Sequence, residues 1–226
     1  MSASENRGQL IDLSHTIEEG TSTYPGLPAP QISEFMSREE SRSHYMAGTE
    51  FQIGRIELVG NTGTYVDSPF HRFAHGKDLS ELPLSSIANL EGLVVRAPNE
   101  RSISNERFRG IAVCGRAVLV DTGWSKHWGS DRYFSGHPFL TAHAAQYLKD
   151  SGAALVGIDS LNIDSTDDGR RPVHTILLGA NVPIVEHLCN LSLLPDSGFR
   201  FFAVPVKVKS FSSFPVRAFA LLGSKS

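Results

Sequence analysis

The sequence predicts an α/β or α+β fold in which helices pack on a mixed β-sheet. Short runs rich in valine, isoleucine and leucine outnumber the helical segments, and the two kinds of segment do not alternate strictly. The 226 residues contain no internal repeat and no linker rich in glycine, serine or proline. We therefore expect a single domain that covers residues 1–226.

Local patterns assign the elements in order. Short apolar runs predict buried strands, and alternation of apolar and polar residues predicts a half-exposed strand at Phe51–Leu58. An amphipathic helix is predicted at Thr141–Ser151 and ends at Ser151-Gly152. Periodicity does not decide between helix and strand at Ile184–Cys189. The remaining predicted strands are Gln9–Leu13, Leu93–Arg96, Ala117–Val120, Ala154–Ile158, Phe201–Val208 and Ala218–Leu222.

Two segments are predicted to lack regular structure. Residues 1–8 are polar, and we expect them to be disordered. Glu19–Pro30 contains three prolines and two glycines, which favour an ordered loop or an extended arm.

The charge balance and the apolar runs exclude several classes of function. Lys and Arg total 21 against 24 Asp and Glu, so no basic surplus exists to bind nucleic acid. The apolar runs fall far short of the ~20 residues that span a bilayer, and the polar N-terminus lacks a signal peptide. Two cysteines, Cys114 and Cys189, do not make a disulfide framework. We expect a soluble, cytoplasmic protein.

The segment Asn61–His71 holds the densest chemistry. Asp67 and His71 are common ligand types, and Gly60, Gly63 and Pro69 predict irregular backbone after a strand. In such backbone, side chains four residues apart can enter one pocket, although an Asp near Gly and Pro is equally typical of a turn. A site and a turn both stay open for this stretch alone.

Two more features carry candidate ligands. His174 and Glu186, taken with Asp67, make a nitrogen and oxygen set suited to Zn²⁺, Mn²⁺ or Fe²⁺, whereas histidines at helix ends also serve as caps. Asp159 follows an apolar strand, where it can orient a ligand histidine or form a turn.

Together these residues resemble the cyclase family of metal-dependent hydrolases, which includes kynurenine formamidase and isatin hydrolase. The family motif His-x-Gly-Thr-His-x-Asp-x-Pro-x-His aligns with Asn61–His71. The opening Ile11–His15, the stretch Thr122–Trp124 and the later His174 and Glu186 match further family positions. The resemblance implies a compact α/β domain with a mixed sheet, called a swivelling β/β/α fold. It also implies a homodimer or homotetramer in which the arm can reach a neighbouring subunit.

The resemblance implies two metal sites, of which this chain keeps one. In the family the first two motif histidines and the Asp bind one metal, but Asn61 and Tyr65 replace those histidines here. The second site matches Asp67, His174 and Glu186, which implies one divalent metal, Zn or Mn, or none. The last motif histidine, His71, is implied as the group that transfers protons.

The expected reaction is hydrolysis of a C–N or C–O bond in a small aryl amide, lactam or lactone. His71 acts as general base, while Tyr65 and Asn61 donate hydrogen bonds to the developing oxyanion. Without a metal, the alternatives are an isomerase, dehydratase or cyclase, or a non-catalytic binding protein. The residues expected to contact a ring-shaped substrate are Tyr24, Pro25, Phe70 and Trp124. Arg170 and Arg171 are either solvated or close to a substrate carboxylate.

Overall fold

The structure is a computed structural model that describes residues 8–223. The strands are β1 (Leu10–Asp12), β2 (Gln31–Met36), β3 (Ile53–Glu57), β4 (Tyr65–Asp67), β5 (Leu90–Arg96), β6 (Ser102–Ile103), β7 (Arg116–Asp121), β8 (Phe139–Leu140), β9 (Leu155–Ile158), β10 (Ile184–Glu186), β11 (Ser197–Phe202), β12 (Ser213–Pro215) and β13 (Phe219–Leu222). The α-helices are α1 (Arg38–Ser41), α2 (Ala142–Asp150) and α3 (Pro172–Gly179). Short 3-10 helices include Pro69–His71 and Trp124–His127. Among residues 8–223, no helix has the length and apolarity needed to cross a membrane.

A nine-stranded mixed sheet organises the chain in the order β1-β13-β11-β5-β7-β9-β10-β4-β12. Its centre, β5-β7-β9-β10, is parallel, and antiparallel strands flank it on both sides. The α/β class with a mixed sheet is therefore confirmed. The parallel centre explains why β5, β7 and β9 show continuous apolar runs, because strands covered on both faces need no polar side.

The two faces of the sheet bury separate cores. Val118 and Val120 point to the side where α2 and α3 pack, while Ala117 and Leu119 point to the opposite core. This split follows from the two-residue repeat of a strand. The second core is closed by residues of the antiparallel strands, including Phe199 and Phe201 of β11.

Most predicted elements are present, with shifts at their ends. The helix predicted at Thr141–Ser151 is α2, which begins after the N-cap Thr141. The undecided segment Ile184–Cys189 contains the strand β10. The strand predicted at Phe201–Val208 is wrong over most of its length, because β11 ends at Phe202. The amide of Ala203 then bonds to the Ile87 carbonyl, which takes the chain away from the sheet ladder.

Two further assignments needed correction. Asn61–His71 is not irregular throughout, because Tyr65–Asp67 forms β4 between β10 and β12. The sequence pattern did not indicate this strand, because two of its three residues are polar although all three are buried. The sequence reasoning also missed α3, whose first residue is Pro172, a position where proline is tolerated.

The predicted terminal disorder lies outside the described residues except at Gly8. The segment Glu19–Pro30 consists of loop and turns, and it packs on its own chain. Thr23 Oγ1 accepts a hydrogen bond of 2.8 Å from the Gly63 amide. Its reach to a neighbouring subunit stays a prediction.

Gly92 of β5 allows the ring of Phe199 to lie directly on the strand. A Cβ at Gly92 would lie 1.9 Å from Phe199 Cε2, and Phe199 is buried. We expect Gly92→Ala to lower the free energy of unfolding by about 2 kcal/mol, because overpacking forces the ring or strand to move. Urea denaturation measures this effect. Gly169→Ala is the control, since a Cβ there meets nothing within 4 Å; equal stability of the two variants would contradict the prediction.

Candidate active site

The register of three strands brings four polar side chains to one place. In β4, Tyr65 lies opposite Glu186 of β10, and Asp67 lies opposite Ser213 of β12. Residues two apart in a strand share a face, so Tyr65 and Asp67 point to the same side. All four residues are buried. The sheet itself therefore builds the floor of the candidate site.

His174 enters the same site from α3 and is held there by Asp164. The Asp164 carboxylate accepts from the amides of Val173 and His174 at 2.8 and 3.0 Å, which caps the helix. It also accepts from His174 Nδ1 at 2.7 Å. His174 Nε2 is left 3.6 Å from Asp67 Oδ2 and 3.7 Å from Glu186 Oε1. A carboxylate behind a ligand histidine is the usual arrangement at metal sites.

His71 occupies the solvent side of the site. It ends the 3-10 helix Pro69–His71, and its side chain is 33% exposed. The Ser213 hydroxyl donates its proton to Asp67 Oδ1, so the contact of 3.0 Å between Ser213 Oγ and His71 Nδ1 has His71 as the donor. This network places the proton on Nδ1 and leaves a lone pair on His71 Nε2. That nitrogen is available as a base.

The two residues that replace the motif histidines support the carboxylates. The Tyr65 hydroxyl donates to Glu186 Oε2, and Asn61 Nδ2 donates to Asp67 Oδ1 at 3.4 Å. Burial raises the pKa of Tyr65 well above its usual value, and the charges of Glu186 and Asp67 raise it further. Tyr65 is therefore a neutral phenol that donates a hydrogen bond, and not a phenolate ligand.

The buried charges favour a cation between the carboxylates. Burial raises the pKa of Glu186 to about 7, with Asp67 adding to the shift. Burial would lower the pKa of His174, but Asp164, Asp67 and Glu186 together raise it to about 10. Burial would also raise the pKa of Asp67, yet His71, His174 and Ser213 hold it below its usual value. A proton or a metal ion at His174 Nε2 satisfies the same charge requirement.

The donor set fits a divalent metal ion. Among residues 8–223, Asp67 Oδ2 is a buried carboxylate oxygen without a hydrogen-bond partner, and it faces His174 Nε2. Two ligands of a tetrahedral ion lie about 3.4 Å apart, close to the separations found for His174. Asp67, His71 and His174 also offer ligand atoms within 4.8 Å of one another. The structure therefore has a possible metal site. Asp67 and His174 belong to it whether the third ligand is Glu186 or His71.

A cavity of about 320 Å³ opens above these residues. Tyr24, which is predicted to contact the substrate, lines this cavity. The complete lining is Tyr24, Leu27, Asn61, Tyr65, His71, Arg72, Asn162, Arg171, His174 and Glu186. Three residues predicted to contact substrate do not line this cavity. Pro25 is exposed at the surface, Phe70 is half-buried, and Trp124 is buried.

Trp124 has a packing role in place of the predicted substrate contact. Its indole Nε1 donates to the Tyr133 carbonyl at 3.0 Å, and its ring packs with Tyr133 and Leu161. The guanidinium of Arg132 lies over the ring at 5.1 Å. The indole is thus enclosed by its own local cluster.

Asp159 does not orient a histidine. Its Oδ1 accepts from the amide and hydroxyl of Thr122, at 2.9 and 2.6 Å. Burial raises the pKa of Asp159 to about 6 despite these bonds. The carboxylate behind His174 is instead Asp164, five residues further along the same segment.

Sequence reasoning missed several residues of this site. Asp164 belongs to the acidic segment Gly157–Asp164 that the pattern had marked, so a weak signal was present. Ser213 and Arg72 gave no signal, because no local pattern connects them to Asp67 or His174. Asn162 lines the cavity, and its Oδ1 accepts from the Asp164 amide at 3.0 Å.

Comparison with known proteins gives a consistent result. The Cyclase family, described as "Putative cyclase", matches residues 11–165. Kynurenine formamidase from Salinibacter ruber is 28% identical over 210 residues, covering 92% of this chain and 95% of its own. Isatin hydrolase A from Labrenzia aggregata, solved with benzyl benzoate, superposes with a TM-score of 0.80 at 21% identity, covering 96% of this chain and 94% of its own.

A second solved structure is titled a "predicted metal-dependent hydrolase from Bacillus stearothermophilus". It has a TM-score of 0.73 at 26% identity and covers 94% of this chain and 97% of its own. The expected family is confirmed by the match of the family over more than half of the sequence. This protein belongs to the cyclase family.

Proposed function

We propose that this protein is a metal-dependent hydrolase that cleaves a C–N or C–O bond in a small aryl amide, lactam or lactone. The observation that carries the proposal is the pair formed by Asp67 Oδ2 and His174 Nε2. Both side chains are buried, and His174 lines the cavity. Within residues 8–223, Asp67 Oδ2 has no hydrogen-bond partner, and Asp164 holds the other ring nitrogen of His174. The relatives named kynurenine formamidase and isatin hydrolase support hydrolysis of an amide or lactam.

One divalent ion, Zn or Mn, would be held by Asp67, His174 and Glu186. When bound, such an ion polarises a carbonyl group and lowers the pKa of a coordinated water from ~15.7 towards ~7. Asp164 fixes the ring of His174 and leaves Nε2 as the ligand atom. Tyr65 fixes the carboxylate of Glu186.

His71 is the proton-transfer group of this proposal. Its Nε2 takes a proton from the attacking water and later passes it to the leaving nitrogen or oxygen. Ser213 holds the ring through Nδ1 and thereby sets the tautomer. The partial exposure of His71 lets the ring meet a substrate that enters from the cavity.

Asn61 and Tyr65 have different parts in the reaction. The Tyr65 proton is committed to Glu186, so this residue positions a carboxylate and does not contact the oxyanion. Asn61 uses one amide proton on Asp67 and retains a second for the substrate oxygen. The ring of Tyr24 supplies a wall of the cavity.

We also propose that the chain is one domain and assembles as a homodimer or homotetramer. The ribbon β2–β3 exposes Ile32, Phe35, Ile53 and Ile56, and Met46 in its connection is 85% exposed. Apolar side chains gathered on an exposed ribbon are typical of an interface. Light scattering coupled to size-exclusion chromatography measures the assembly, and a monomer at all concentrations would contradict it.

Elemental analysis of the purified chain tests the metal proposal. We expect about one Zn or Mn per chain, lost on chelation and in His174→Ala, because removal of one of three ligands weakens a metal site strongly. Hydrolysis of N-formyl anilides and of lactams should follow the metal content. Absence of metal after growth with added Zn and Mn would contradict the proposal and favour a metal-free enzyme or a binding protein, with His174 protonated between the two carboxylates.

A further inference from the structure

We infer that Arg171, assisted by Arg72, forms an anion subsite in the cavity, and that the substrate carries a carboxylate. The inference rests on the proposed function, because it assigns one end of the same substrate. Both arginines line the cavity that also contacts His71 and His174.

Arg171 is held in place but is not neutralised. Its Nη1 donates to the Ser165 carbonyl at 2.8 Å, and its Nη2 donates to the Tyr24 hydroxyl at 3.3 Å. These bonds use two of the five N–H donors of a guanidinium. Within residues 8–223, no carboxylate oxygen lies within 4.0 Å of Arg171.

The backbone of Arg171 adds a second, independent observation. Its φ of 49° and ψ of 59° lie in the left-handed region, which costs energy for a residue with a side chain. Arg171 precedes Pro172, the first residue of α3, and in this conformation its side chain contacts Ser165 and Tyr24. Strain of this kind is concentrated at binding and catalytic sites.

Arg72 gives the cavity a second positive charge. Its Nε donates to Thr175 Oγ1 at 3.1 Å, and its guanidinium lies 5.4 Å from the centre of the Phe73 ring. Arg72 also has no carboxylate partner within 4.0 Å in the described part of the chain. Its two amino groups stay available to an anion.

Neighbouring Arg170 shows what an ordinary surface arginine looks like here. Its side chain is 88% exposed and forms an ion pair of 2.9 Å with Asp168. Of the two adjacent arginines, Arg170 is thus paired at the surface, and Arg171 lines the cavity without a carboxylate partner in the described part of the chain. Among residues 8–223, Glu186 is the only carboxylate that lines the cavity, and Tyr65 and Ile163 already donate to it.

The charge of the site favours an anion over a neutral ligand. If a divalent ion were held there, it would offset the charges of Asp67 and Glu186, and the two arginines would be the excess charge facing the cavity. A guanidinium binds a carboxylate through two parallel hydrogen bonds, which gives both affinity and orientation. Tyr24 and Leu27 add apolar wall, which suits a small aromatic carboxylate.

Binding of a matched pair of small molecules tests the subsite. Benzoate and acetophenone have similar size and shape, but only benzoate is charged, and neither is hydrolysed. We expect the full chain to bind benzoate about 10-fold or more tightly than acetophenone by calorimetry. Arg171→Met should abolish this preference, and Arg171→Lys should recover part of it. Arg170→Met is the matched control and should keep the full preference.

The outcomes separate this inference from the proposed function. A preference that survives in Arg171→Met but disappears in His174→Ala would mean that the carboxylate binds at the metal site, and would overturn the subsite. Equal binding of both molecules by the unaltered chain would overturn it as well. Binding is measured directly on metal-loaded and on chelated protein, so a failure to hydrolyse amides does not affect the result and an effect of the metal is seen separately. Unchanged melting temperatures confirm that the variants are folded.

Discussion

Replacement of His71 by glutamine is expected to lower kcat by about 10²–10⁴-fold, the usual contribution of a general base. The reason is that His71 Nε2 is the unpaired nitrogen beside the site, while its Nδ1 is held by Ser213. Glutamine keeps a polar group of similar length but cannot accept and release a proton near neutral pH. Steady-state kinetics with an N-formyl anilide measure kcat, and elemental analysis of the same preparation measures the metal content.

The metal content of this variant should stay at the level of the unaltered chain. Asp67, His71 and His174 also lie close enough to form a ligand set of their own, so the result distinguishes two roles for His71. Loss of the metal in His71→Gln would make this residue a ligand and would contradict its assignment as base. Ser213→Ala is a companion variant that removes the contact with His71 Nδ1 and no longer fixes the tautomer of the ring. It should reduce kcat less than His71→Gln does and should shift the pH profile of kcat.

The candidate ligands could be predicted because the resemblance to the cyclase family grouped them in one site. Their spacing in the sequence alone did not. Asp67 lies more than 100 residues before His174 and Glu186 in the chain. Taken alone, Asp67 was compatible with a turn and His174 with a helix cap. The structure explains why they meet. The antiparallel register of β4 and β10 sets Glu186 beside the strand of Asp67, and the cap formed by Asp164 turns His174 towards both.

Other features depend on contacts that no local pattern encodes. Asp159 and Asp164 follow the same strand, but the Asp159 carboxylate accepts from the Thr122 amide and hydroxyl, whereas the Asp164 carboxylate accepts from His174. Ser213 reaches Asp67 because β12 pairs with β4, a long-range pairing without a sequence signal. Trp124 is a residue type that often contacts ring-shaped substrates, yet its indole N–H donates to the Tyr133 carbonyl.

Restoration of the two missing histidines should create a second metal site. In Asn61→His with Tyr65→His, we expect the metal content to rise from about one to about two ions per chain, since three protein ligands suffice for a zinc site with an open position. Asn61 already contacts Asp67, and Tyr65 shares a strand face with it, so both new imidazoles would lie beside the carboxylate that the sites share. Elemental analysis and calorimetric titration of the chelated protein with Zn measure the stoichiometry.

Tyr65→Phe is the control for this prediction, because it removes the hydroxyl from Glu186 without adding a ligand. It should keep about one ion per chain but bind that ion more weakly, since outer hydrogen bonds typically contribute 10–100-fold in metal affinity. A double-histidine variant that is folded and still binds a single ion would contradict the prediction. It would show that Asn61 and Tyr65 do not limit the number of metal ions bound per chain. Two ions in the double variant, with one in Asn61→His alone and one in Tyr65→His alone, would establish that Asn61 and Tyr65 together reduce a two-metal centre to one.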